Sequence, residues 1–327
     1  MAERNMVEAV NDAMMEEMRR DPRVIIMGED VGEGGVFRAT EGLLAEFGED
    51  RIMDTPLAEA CIVGAAIGAS LNGIVPIAEI QFADFIHPAF DQIVSEAARL
   101  HYRSNGTWSC PITIRTPYGA GIHGGPYHSQ SIEAFYAHVP GLKVICVATP
   151  YDAKGLLKSA VRDPNPVLFL EHKKAYRLYK QDVPDEDYTI PIGKADVKRE
   201  GSDITLVTYG LMVHHSLQAA ETVQTEGGAS VEVIDLRSVS PWDKECVLES
   251  VKKTGKALIV YEDNITGGFG AEVAATIAEQ AFEYLDGPVS RVASPDVPIA
   301  PYAGVLEEYI LPNPEKIAEG IRKLAAY

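Results

Sequence analysis

A chain of 327 residues and 35.5 kDa exceeds what one ordinary hydrophobic core supports, and implies two domains. Its composition, 46% hydrophobic and 24% charged, is that of a globular protein and excludes a disordered, collagen-like or disulfide-scaffold chain. With 48 acidic against 29 basic side chains the formal charge is −19, a field that repels phosphate backbones and anionic bilayers and argues against nucleic acid and membrane as partners.

Short β-rich runs alternate with helical periodicity from end to end, which predicts an α/β protein with parallel sheets. An amphipathic helix over 6–20 leads to a strand over 23–28, and a helix over 57–73 leads to a strand over 75–80. Strands follow over 111–116, 142–148 and 166–171, separated by helices over 88–104 and 151–162. A second series carries strands over 203–209, 231–236 and 256–261, with helices over 213–226 and 243–254. The acidic, proline-bearing stretch between the series reads as a linker, which divides the chain into domains 1–180 and 201–327 joined by 181–200.

Cys61, Cys110, Cys146 and Cys246 form no C-x-x-C pair, so reduced, packed thiols are expected. The first residues lack a charged-then-apolar signal pattern, and the longest strictly apolar run, 60–69, is half of the roughly twenty residues a span needs. A cytoplasmic location is the expectation.

Gly119-Ala-Gly121-Ile-His-Gly124 satisfies G-x-G-x-x-G, but the continuation Gly125-Pro-Tyr-His128 cannot open the helix that a dinucleotide site requires. A glycine-rich loop presenting His128 is the better reading. Among the other histidines, His172 and the His214-His215 pair fall on a strand end and a helix start, where structural roles are the default. Asp54-Thr55-Pro56 reads as a helix start, and the apolar run 60–69 behind it suggests a helix buried on all faces that carries Glu59 inward. A carboxyl in such a setting holds its proton more tightly and can share it with a ligand. Gln81-Phe-Ala-Asp-Phe85 ends a strand where α/β sheets present ligands, and Asp163-Pro-Asn165 is a turn whose oxygens also suit a hard cation.

Met27-Gly-Glu-Asp30, Asp54-Thr-Pro-Leu-Ala-Glu59, Ala78-Glu-Ile-Gln-Phe-Ala-Asp84, Tyr127-His-Ser-Gln-Ser131 and Thr149-Pro-Tyr-Asp-Ala-Lys-Gly-Leu-Leu157 together resemble the beta subunit of the thiamine-diphosphate-dependent decarboxylase component of 2-oxo acid dehydrogenase complexes. Ile190-Pro-Ile-Gly-Lys-Ala-Asp196 and Val233-Ile-Asp-Leu-Arg237 extend the likeness over nearly the whole chain. The resemblance implies a transketolase-like pyrimidine-binding domain followed by a transketolase C-terminal domain. It further implies an alpha-two, beta-two heterotetramer whose alpha subunit holds the diphosphate and magnesium through a Gly-Asp-Gly motif. No Gly-Asp-Gly occurs here, so this chain would supply half the site.

Carried over by similarity, Glu59 would bond the aminopyrimidine ring nitrogen and promote loss of the thiazolium proton, with Leu57, Gln81 and Phe85 around the ring. His128 would handle protons as the acyl group passes to a lipoyl group of the dihydrolipoamide acyltransferase core. Some branched-chain members carry tyrosine where Phe85 stands, so stacking is kept here and a phenolic hydrogen bond is lost. The likeness also maps a potassium site to Ile112, Ala160, Asp163 and Asn165. The segments around Gln81 and His128 are nearer to branched-chain members, which suggests 3-methyl-2-oxobutanoate and homologues; pyruvate or acetoin is the alternative substrate, and a non-catalytic assembly subunit the alternative class.

Overall fold

Asn5 starts the first helix reciprocally: its side chain accepts the Glu8 amide at 3.0 Å, and its own amide donates to the Glu8 carboxylate at 2.8 Å. The helix runs Met6–Arg20, as expected, and buries Met6, Val10, Met14 and Met18 along one face. In this computed structural model residues 1–298 and 300–327 are described. They fall into two units, residues 1–118 with 135–192, and residues 119–134 with 193–327.

In the first unit six strands run parallel in the order Lys143–Val147, Val167–His172, Thr113–Tyr118, Val75–Glu79, Val24–Gly28, Ile52–Asp54. Val24–Gly28 and Val75–Glu79 are buried at every position, which is why the first reads as an unbroken apolar run and the second as one closed by Glu79. Ile52–Asp54 escaped the sequence reading because it is three residues long and only Ile52 is buried. Thr149 caps helix Pro150–Val161 by accepting the Asp152 amide, with Pro150 in the first turn. The predicted helix over 88–104 is instead broken into a 3-10 turn His87–Ala89, a π-helical Gln92–Ala97 and a short α-turn Leu100–Arg103. A π segment is a local widening that hydrophobic periodicity does not reveal.

The second unit carries a five-stranded sheet ordered Ser290–Ser294, Ala257–Asn264, Ile204–Thr208, Val231–Asp235, Asp196–Arg199. The first four are parallel and the last is antiparallel. The stretch 181–200 holds edge strand Asp196–Arg199 and most of Lys180–Val183, which pairs antiparallel with Ala2–Asn5. No described helix is long and apolar enough to cross a membrane, and all four cysteines are free.

Candidate active site

Ile52–Asp54, Val24–Gly28 and Val75–Glu79 are neighbours in one parallel sheet, so the segments after each, 55–59, 29–35 and 80–85, emerge at the same edge. Carboxyl ends of parallel strands are where α/β sheets take ligands. Hydrogen bonds tie these segments together. The Thr55 amide donates to the Gly28 carbonyl at 2.9 Å, the Gly32 amide to Asp54 Oδ1 at 2.8 Å, and Gln81 Nε2 to Asp30 Oδ2 at 2.8 Å.

Glu59 is the first residue of helix Glu59–Leu71, where the helix dipole favours a carboxylate. The helix starts later than Thr55-Pro56 suggested, and Ala58 gives it no side-chain cap. It buries Ile62, Val63, Ala66, Ile67 and Ser70 while exposing Cys61, Ala65, Gly68 and Leu71. Glu59 is half-buried, so the inference that the apolar helix carries it inward does not hold in this chain. A more deeply buried carboxyl at this edge is Glu29, 3% exposed, directly after the strand Val24–Gly28. Burial, then the charges of Glu59, Asp30 and Glu79, push Glu29 up to about 7. Its Oε1 has no hydrogen-bond partner among the described residues. Sequence reasoning gave Glu29 no role, although an acid closing a wholly apolar strand was a usable signal.

Beneath this edge Arg115 ties the sheet together. Its Nη1 donates to Glu79 at 2.5 Å, and its Nε and Nη2 fork onto Glu171 at 2.7 Å each, with the Tyr176 hydroxyl donating to Glu171 at 2.6 Å. Burial opposes the guanidinium charge, but Glu171 and then Glu79 hold it firmly charged.

Phe85 meets Phe82 edge-on at 6.0 Å, and Phe82 meets Phe37 at 5.5 Å. The Lys173 ammonium lies 5.7 Å from the Phe82 ring centre and 4.0 Å from Asp84. Leu57 is 79% exposed. A carboxylate at 59, an amide at 81 and a ring at 85, beside an orphaned buried carboxyl oxygen, match the donor, acceptor and stacking needs of an aminopyrimidine.

His128 belongs to the second unit. It follows the 3-10 turn Gly125–Tyr127, and no helix opens there, in keeping with the rejection of a dinucleotide site. A side chain at Gly124 would put its Cβ 2.7 Å from both the Cβ and the carbonyl oxygen of His128, so glycine at 124 is what lets His128 sit there. His172, 1% exposed, packs against Tyr118 with ring centres 5.2 Å apart, and His214 and His215 lie within helix Leu211–Thr225, as structural roles require.

Asp163 and Asn165 share one turn, where the Asn165 amide donates to Asp163 Oδ1 at 2.9 Å. The Ala160 carbonyl accepts the Asp163 amide at 3.2 Å, and the Ile112 carbonyl accepts the Val167 amide at 3.0 Å. Carbonyl and carboxylate oxygens are the donor type that a hard cation takes. The Lys143 ammonium already meets the Asp163 carboxylate. Among the described residues no three His, Cys, Asp or Glu side chains form a metal cluster.

Residues 2–178 match the family model of the transketolase pyrimidine-binding domain, and residues 193–317 that of the transketolase C-terminal domain. A solved split-gene transketolase, an inactive beta4 tetramer, aligns at a TM-score of 0.80 and 24% identity over 99% of this chain and 98% of its own, a likeness of fold alone. The 2-oxoisovalerate dehydrogenase subunit beta of Bacillus subtilis is 58% identical over 322 residues, 98% of either chain. The pyruvate dehydrogenase E1 component subunit beta of the same organism is 50% identical over 328 residues, the full length of both. The chain belongs to the family of 2-oxo acid dehydrogenase E1 beta subunits.

Proposed function

We propose that this chain is the beta subunit of a branched-chain 2-oxo acid dehydrogenase, acting with an alpha subunit in an alpha-two, beta-two tetramer. The observation that carries the substrate is the 58% identity to a 2-oxoisovalerate dehydrogenase beta subunit, against 50% to a pyruvate dehydrogenase one. Thiamine diphosphate, when bound, supplies the nucleophile and the electron sink for loss of carbon dioxide from a 2-oxo acid. Leu57, Gln81 and Phe85 surround its pyrimidine, and Glu59 holds a proton at the ring nitrogen. His128 moves protons while the acyl group passes to a lipoyl sulfur of the acyltransferase core. The alpha subunit holds the diphosphate and magnesium, since this chain has no Gly-Asp-Gly. Ile112, Ala160, Asp163 and Asn165 hold potassium. The net charge of −19 favours docking of a basic segment of the acyltransferase, an attraction that salt weakens.

The test is the coexpressed alpha–beta pair, supplied with thiamine diphosphate and magnesium and offered 3-methyl-2-oxobutanoate and pyruvate side by side. A higher kcat/KM for the branched acid is expected. Preference for pyruvate overturns the substrate and leaves the shared-site chemistry; the extra carbons are worth ~1–3 kcal/mol per methylene in an apolar pocket, enough to read clearly.

A further inference from the structure

The loop that delivers His128 has little regular backbone bonding. Gly119, Gly121, His123 and Gly125 all lie in the left-handed region, at φ 85°, 87°, 59° and 64°. Its ends are joined by the Gly119 amide donating to the Gln130 carbonyl at 2.9 Å. Two buried carboxylates from elsewhere in the second unit take the amides in between. Glu262, on strand Ala257–Asn264 and 6% exposed, accepts the Ala120 amide at 2.7 Å and the Ser131 hydroxyl at 3.2 Å, both on Oε1. Glu307, on helix Gly304–Ile310 and 2% exposed, accepts the Gly121 amide at 2.9 Å and meets His123 Nδ1 at 2.7 Å. Glu262 thus grips the loop on both sides of His128, at positions 120 and 131, and Glu307 pins its outward bend.

We propose that Glu262, supported by Glu307, is a positioning residue that sets the geometry of His128 for acyl transfer. Buried carboxylates bonded to backbone amides are strong, directional struts, and replacing one by a methyl group leaves a buried N–H unpaired. A displacement of about 1 Å in a group that moves protons is enough to cost on the order of 10²-fold. The proposal rests on the assignment of His128 to the transfer step.

The experiment uses the assembled tetramer and measures reductive acylation of a free lipoyl domain. Glu262→Ala is expected to lower kcat for acylation by roughly 10- to 100-fold, with the KM for the lipoyl domain and the affinity for thiamine diphosphate unchanged. Glu262→Gln keeps an acceptor oxygen for Ala120 and Ser131 and should restore most of the rate. In a His128→Ala background Glu262→Ala should add no further loss, because nothing is left to position. Wild-type acylation by Glu262→Ala, or a full additional loss in that background, overturns the proposal. Wild-type acylation by His128→Ala alone overturns the His128 assignment instead. Should Glu262→Ala fail to assemble, Glu307→Ala decides: a step-selective loss of roughly tenfold supports the clamp and wild-type kcat refutes it.

Discussion

Glu29 and Glu59 meet electrostatically at one edge of the first sheet: burial, and after it the charge of Glu59, holds the Glu29 carboxyl near pH 7. The half-buried member of the pair is the one that begins a helix, and the buried member is the one that directly follows a strand. The Glu29 carboxyl therefore keeps its proton to a higher pH than an ordinary glutamate does.

That relationship predicts a pH dependence of stability. The Glu29 value in the folded chain is raised from 4.5 to about 7, so between these pH values the native state keeps a proton that the unfolded chain has released. Stability must then fall as pH rises through this window, and Glu29 contributes no slope below it. Glu29→Gln removes the effect. Its Tm relative to wild type should improve steadily from pH 4.5 to 7 and level off above; a constant difference across that range contradicts the assignment.

His128→Ala should slow transfer of the acyl group to lipoyl domains by about 10²–10⁴-fold, the usual range for a lost acid/base group. Decarboxylation read with an artificial electron acceptor should suffer less. Wild-type reductive acylation removes His128 from the mechanism.

Arg115→Met should destabilise the folded protein severely. It leaves Glu79 and Glu171, 6% and 0% exposed, without their buried countercharge, a change that typically costs roughly 3–5 kcal/mol. Denaturant titration measures this directly, and a loss under about 1 kcal/mol would show that the carboxyls simply take up protons.

Potassium should raise Tm relative to sodium or choline, by about 2.7 kcal/mol of stability at a hundredfold excess over Kd. Asp163→Ala should abolish that increment. A Tm indifferent to potassium leaves the 160–165 turn a structural one, with Lys143 as the only cation Asp163 needs.

Much of this architecture was legible in the chain. Fully buried parallel strands such as Val24–Gly28 read as continuous apolar runs, and Met6–Arg20 declared itself through its amphipathic periodicity. Half-buried Ser290–Ser294 and Asp196–Arg199 did not, because polar edge strands lack that signal. The approach of Glu29 to Glu59 was also hidden, since it depends on two loops meeting after strands that are adjacent in space. The attachment of residues 119–134 to the second unit rests on Glu262 and Glu307, more than a hundred residues away, beyond the reach of any local pattern. The all-round apolarity of 60–69 suggested full burial, yet one chain covers only one side of that helix.

The measurement that bears most directly on the central claim is deuterium exchange of the thiazolium proton of thiamine diphosphate, followed by NMR in the assembled tetramer with wild-type chain and with Glu59→Gln. Intact assembly is expected in the variant, with exchange slowed by at least ~10²-fold. Exchange at the wild-type rate would contradict the claim, because Glu59 would then have no part in activating the cofactor.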